Sequence, residues 1–267
     1  MNYCRILRAA GVAALCCFAT FAQGQNQVAV KHGVGALHGF LVIRSEGGRY
    51  LGYGELSEFA TGDRAMVHMV YRFRDGSLDD ETTEFTQGKT YQFVNDHHIQ
   101  RGRFFPKPSD ITVEAGGKVT MQSVEKDGKA KVDTDQMDIP ADFSNGMVGT
   151  ILQNVPADAG EFKLGMIVAA GKARAIRLDI TPDGEGSFRI AGVARKAKIF
   201  CVKPELGGIA GVIAPLIGKQ PGNVYIWVLE GETPMIVRIV GPLAEGTASV
   251  SIELAGATFA KGSAEKK

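Results

Sequence analysis

From Arg64 to Arg74 the chain alternates without interruption. Ala65, Val67, Met69, Tyr71 and Phe73 fall on one set of positions, and Met66, His68, Val70, Arg72 and Arg74 on the other. A side-chain period of two is that of a β-strand, and it confines the segment to a sheet with two distinct faces. Asp75-Gly76 follows at once. That pair suits a type I′ hairpin turn, which needs positive φ at both central positions. Leu78 to Gln87 then returns as a polar strand, in which Thr82, Thr83 and Phe85 favour the pleated backbone.

The same punctuation runs through the rest of the chain. Strands are expected near 39–44, 51–59, 90–100, 110–115, 118–124 and 129–138. Further strands are expected near 161–170, 173–181, 187–203, 224–229, 235–240 and 248–254. Gly47-Gly48, Gln87-Gly88, Gly116-Gly117, Asp127-Gly128, Gly171-Lys172 and Asp183-Gly184 read as the turns. The 34 glycines are about 13% of the chain, against a typical value of about 7%, which fits a turn-rich β protein. Strands 118–124 and 129–138 carry many charges and few large apolar residues, so they read as an exposed hairpin. A single helix is expected from Pro140 to Pro156, with Phe143, Met147 and Ile151 spaced by four and Val148, Leu152 and Val155 beside them.

The N-terminus carries Arg5 and Arg8 before an uncharged apolar stretch from Ala9 to Ala22, followed by small residues. This is the pattern of a secretory signal peptide over residues 1–24. Its apolar core is too short for a membrane span of about twenty residues. Cleavage removes Cys4, Cys16 and Cys17 and leaves Cys201 alone, so no internal disulfide is available. It also removes two arginines and no acids, which takes the net charge from +1 to about −1. A nucleic-acid binder would show a concentrated basic face, and none is present. Residues 25–260 are read as one β-rich domain, with two small domains joined at the helix as the alternative. Residues 261–267 are read as a disordered tail.

Motifs for chemistry are sparse. His97-His98 are adjacent in a strand and therefore point to opposite faces, which disfavours one shared metal. Asp79-Asp80-Glu81 lacks the spacing of a calcium loop and reads as charge on an exposed or edge strand. Gly33-Val34-Gly35 and Gly218-Lys219 lack the context of phosphate loops. There is no Gly-x-Ser-x-Gly elbow and no His-Glu-x-x-His helix. Cys201 lies in an apolar strand and reads as a buried small side chain. No metal and no cofactor is implied. Residues 100–108 combine Arg101, Arg103 and Lys107 with Phe104 and Phe105; the phenylalanines are expected to plug the core while the charges stay wet. Residues 206–218 are uncharged and apolar, forming either a core cap or the wall of an apolar cavity.

The strings at 73–83, 97–102 and 214–221 resemble those of a family of exported bacterial proteins without assigned activity. The order of strands and helix is also similar to the half-barrel of periplasmic lipoprotein carriers, which implies an open cavity by analogy alone. The fold expected is mainly β (α+β): a curved antiparallel sheet or half-barrel with one packed helix.

The function expected is a non-catalytic envelope protein, periplasmic or extracellular, holding a lipid-like or apolar ligand. Its contacts are assigned to Ile209, Val212, Ile213, Leu216 and Trp227, with His98 and Arg101 as polar partners. Two alternatives stand beside it. One is a structural protein that binds an envelope partner through an edge strand. The other is a hydrolase using His97 or His98 with Asp96 and Arg101. No nucleic-acid partner and no membrane span after signal cleavage are expected.

Overall fold

The computed structural model describes residues 28–124, 129–156, 158–169, 172–205 and 222–259. The signal segment, the stretch bearing Ile209, Val212, Ile213 and Leu216, and the C-terminal tail lie outside the described residues.

Eight strands come first: β1 (Leu37–Ser45), β2 (Tyr50–Thr61), β3 (Arg64–Phe73), β4 (Leu78–Gln87), β5 (Tyr91–Arg101), β6 (Ser109–Glu114), β7 (Lys118–Val124) and β8 (Ala130–Gln136). One helical turn and a half, α1 (Val148–Leu152), separates them from β9 (Phe162–Ala169), β10 (Ala173–Ile190), β11 (Val193–Glu205), β12 (Val224–Leu229), β13 (Ile236–Gly241), β14 (Val250–Leu254) and β15 (Ala257–Phe259).

All fifteen belong to one antiparallel sheet in the order β15-β10-β11-β12-β13-β14-β1-β2-β3-β4-β5-β6-β7-β8, with β9 beside the first half of β10. The chain's two halves meet where β1 pairs with β14, Ile43 opposite Ile252. The sheet curls until β6 and β9 share a cluster of Ile111, Val113, Phe143 and Ile167. The gap between them is spanned by the segment before α1. Gly165 N–H donates to Asp142 O (3.0 Å), and Ser144 N–H donates to Gly165 O (2.9 Å). Among the described residues the architecture is a strongly curved, barrel-like sheet with one short helix.

The alternation over 64–74 carries through as read. Ala65, Val67, Tyr71 and Phe73 are buried on the inner face of β3. The turn after it differs. Among the described residues Ala191 is the one non-glycine with positive φ, so Asp75 does not take the type I′ conformation; Gly76 alone does, at φ 85°. Gly76 N–H donates to Phe73 O and Phe73 N–H donates to Ser77 O, giving a three-residue loop with a bulge.

Asp183-Gly184 also behaves differently from expectation. It does not reverse the chain; it forms a bulge at which the register slips between Pro182 and Glu185, and β10 runs on to Ile190. The reversal comes at Ala191-Gly192, at φ 49° and 79°.

The helix is shorter than its apolar stripe. Residues 140–147 stay irregular because Asp142, Ser144 and Asn145 are bonded across to β9, and Gly146 sits at φ 60°, outside the helical region. The stripe therefore splits. Met147, Ile151, Leu152 and Val155 pack in the barrel interior against Leu164, Phe200 and Val228. Phe143 turns into the β6–β9 seam. Tyr71 and Phe73 do not face this stripe; they pack with Leu41, Ile43, Phe105, Val250 and Ile252 at another part of the interior. Phe105 plugs that cluster and Phe104 stacks on Phe73 at 4.2 Å, while Arg101, Arg103 and Lys107 stay exposed. That loop behaves as read. The β7–β8 hairpin is largely exposed, also as read.

Candidate functional site

The β4–β5 pairing places three polar couples side by side: Asp79 opposite Gln100, Glu81 opposite His98, and Thr83 opposite Asp96. Positions two apart share a face, so all six side chains point into the barrel. Polar groups in such a place must satisfy one another, and they do. His98 Nε2 lies 2.8 Å from Asp79 Oδ1. Gln100 Nε2 donates to Asp79 Oδ2 at 2.9 Å and to Leu243 O at 3.2 Å. Thr83 Oγ1 donates to Asp96 Oδ1 at 2.7 Å. Glu81 Oε1 stands 3.6 Å from His98 Nδ1.

Burial drives the electrostatics of this group. It pushes the Glu81 carboxyl up to about 8, against the attraction of His98. Burial alone would discharge His98, but Glu81, Asp79 and Asp96 outweigh it and raise the imidazole to about 10. Asp96 is likewise raised by burial, opposed by its bonds to Thr83 and Asn145.

Asn145 ties the cluster to the seam. Its Nδ2 donates to Ile167 O (2.8 Å) and Asp96 Oδ2 (3.3 Å), and its Oδ1 accepts from Ile167 N–H (2.8 Å). One amide thus joins β5 to β9. Gly146 follows because a Cβ there would collide with the Thr83 hydroxyl.

A pocket of about 150 Å³ lies beside the cluster. Leu41, Leu56, Val67, Met69, Ile226, Ile236, Ile239 and Ile252 line it from the sheet, and Val148, Gly149 and Thr150 from α1. Leu56, Met69, Ile236 and Ile239 are only partly buried, so the pocket opens to solvent. Two carboxyls enter this apolar lining, Glu58 from β2 and Glu81 from β4. A wider hollow of about 280 Å³ near Lys31, Asn154, Lys198 and Glu230 is a surface depression of mixed charge.

The residues singled out in the sequence disperse. His98 belongs to the buried cluster. His97 points outward to Asp110 at 3.0 Å, as the strand period requires. Arg101 is exposed at the end of β5, so Asp96, His98 and Arg101 do not converge. Trp227 is fully buried, but on the outer face, with Phe188, Ala197, Ile199, Val237 and Phe259. Its neighbour Ile226 is the one that reaches the pocket.

The acidic run is corrected too. β4 lies between β3 and β5 rather than at an edge, so Asp79 and Glu81 face inward and Asp80 alone faces out, 2.9 Å from His68. The three-residue loop pairs Tyr71, on the core face, with Asp79; the two-residue turn expected at Asp75-Gly76 would have paired Tyr71 with Asp80 and turned Asp79 outward. Glu58, Asn145 and Asn154 carried no signal in the sequence. Asn154 accepts from the N–H groups of Lys31 and His32, both at 2.7 Å, and so straps the N-terminal segment to α1. Among the described residues no group of three or more His, Cys, Asp or Glu is arranged to hold a metal.

No family model matches the chain. No curated protein matches it either. Among solved structures, the chain is similar to a β-barrel-like protein of a domain of unknown function, DUF1849, from Brucella abortus. The TM-score is 0.43 at 10% identity, covering 87% of this chain and 100% of that one.

Proposed function

We propose that this chain is a non-catalytic exported envelope protein that binds a small apolar or amphiphilic ligand inside its curved sheet. One observation carries the reading: a solvent-open pocket of about 150 Å³ lined chiefly by branched aliphatic side chains. Pockets of this chemistry in barrel mouths take ligands that bury apolar surface. The volume favours a short occupant. A dry cavity of about 150 Å³ accepts a molecule the size of benzene, or about six carbons of a chain. A whole acyl chain would need the pocket to widen, so the lipoprotein-carrier analogy is narrowed to a chain end or a small molecule. Export is part of the proposal and rests on the N-terminal pattern.

Native mass spectrometry of protein purified from its own envelope fraction tests both parts. The expected result is a chain starting near residues 22–24 that carries a low-mass apolar adduct. A species retaining Met1 would overturn the export. A bare protein that also ignores added short-chain alcohols would overturn the ligand.

A further inference from the structure

Glu58 is 9% exposed, and no hydrogen bond or ion pair to it is formed by the described residues. Its neighbours on the inner face of β2 and β3 are apolar: Leu56 on its own strand, Val67 directly opposite, and Met69 beyond. A buried carboxyl without a partner is costly. Other buried acids of this interior have partners: Asp79 has His98 and Gln100, and Asp96 has Thr83 and Asn145. Glu58 faces the pocket instead. The nearby Tyr91 hydroxyl cannot serve it, because that proton goes to His32 O at 3.1 Å.

Among the described residues Arg238 is the one basic residue of the lining, and its Nη1 is buried without a hydrogen-bond partner. The Arg238 guanidinium lies on the outer face over the Trp227 and Phe259 rings, with Nε 3.0 Å from Ser251 Oγ and 3.3 Å from Glu253. Glu81 enters from β4, two strands away and one inner-face row along, roughly 10 Å or more from Glu58 by strand spacing. Among the described residues the lining is therefore apolar with an acidic end, and its one cation lies over the outer-face rings.

We propose that the pocket's occupant is a short alkylammonium ion, its amine bound by Glu58 and its apolar part lying over Leu56, Val67 and Met69. This rests on the reading that the pocket is a ligand site. A carboxylate set in an apolar lining accepts most strongly from a charged donor. An ammonium supplies three such protons and the compensating charge. Burial raises the Glu58 carboxyl, and an ammonium beside it would bring it down again.

Calorimetric titration with hexylamine, hexanol and hexanoate at about pH 8, where a free alkylamine is still charged, separates the possibilities. Hexylamine is expected to bind about tenfold more tightly than hexanol, and hexanoate more weakly than either. In Glu58→Gln the preference for the amine should vanish while hexanol binding persists. That persistence also shows the variant is folded. Val67→Phe, which fills the pocket, should abolish all three. Equal binding of amine and alcohol, unchanged in E58Q, would overturn the amine proposal and leave the apolar pocket standing. Failure of every probe on the wild-type protein would overturn the pocket reading and this proposal with it.

Discussion

At the scale of single residues, the barrel interior is governed by where protons sit. Glu81 and His98 are both raised, the first by burial and the second by the acids around it in spite of burial. Both shifts make the folded chain hold protons that the unfolded chain releases. Glu81 contributes stability that is full below about 4.5 and is lost as pH rises to about 8. His98 contributes stability that is full below about 6.5 and is lost as pH rises through about 10. Stability measured by denaturant unfolding should therefore fall from about pH 5 towards pH 10. Glu81→Gln keeps the shape and removes the titration. In that variant the fall between about pH 5 and pH 8 should flatten. A slope equal to that of the wild type would mean that Glu81 is ionised in the folded protein. The sequence offered the elements of this cluster. Tyr71 marks the core face, but a two-residue Asp75-Gly76 turn would set Asp80 opposite it and leave Asp79 outside; the three-residue loop shifts the register by one and brings Asp79, Glu81 and Thr83 inward. The sequence hid the cluster for that reason, and because a run of acids on one strand ordinarily marks solvent, while the cross-strand partners that reverse this come from a strand not yet placed.

At the scale of elements, the strands and the place of the helix were legible, and the helix's length was not. Period two and turn residues are local signals, and both act within each hairpin. The apolar stripe over 143–155 is also local, and by itself it describes a longer helix than α1. What shortens it is a long-range competitor. Asn145 and its neighbours bond to β9, and Gly146 adopts a left-handed turn against Thr83. Backbone groups near the seam gain there what a helix would have given them. Asp183-Gly184 misleads for a related reason. A glycine at positive φ can bulge a strand as readily as end it, and pairing with β11 selects the bulge. The seam yields a direct test. Asn145→Ala leaves Ile167 N–H without its partner and strips one donor from buried Asp96. It should destabilise the fold by about 2–4 kcal/mol in denaturant unfolding. A loss under about 0.5 kcal/mol, the range of an ordinary surface change, would show that the seam closes without this amide.

At the scale of the whole molecule, the sheet makes two apolar layers from one chain. Even and odd positions of β12 divide them: Ile226 and Val228 enter the barrel interior, whereas Trp227 enters an outer layer. That outer layer exists because β10 continues past its bulge and takes β15 on its far half, Phe188 opposite Phe259. Phe259 meets the Trp227 ring edge-on at 5.5 Å, and Gly186 gives the indole the room that any Cβ would take. From sequence alone Trp227 reads as a cavity residue, because both faces of its strand are apolar and the nearest apolar cover precedes it. The second cover comes from β15, which follows by some thirty residues and is only three residues long. Trp227 fluorescence therefore reports the outer layer. A hexyl ligand that fills the pocket should leave its emission maximum unchanged, while Phe259→Ala should shift it to longer wavelength by opening the indole to water. Val67→Phe, a change on the inner face, should leave it where it is. A ligand-induced shift together with a silent F259A would mean that Trp227 senses the interior, and the division into two layers would have to be redrawn.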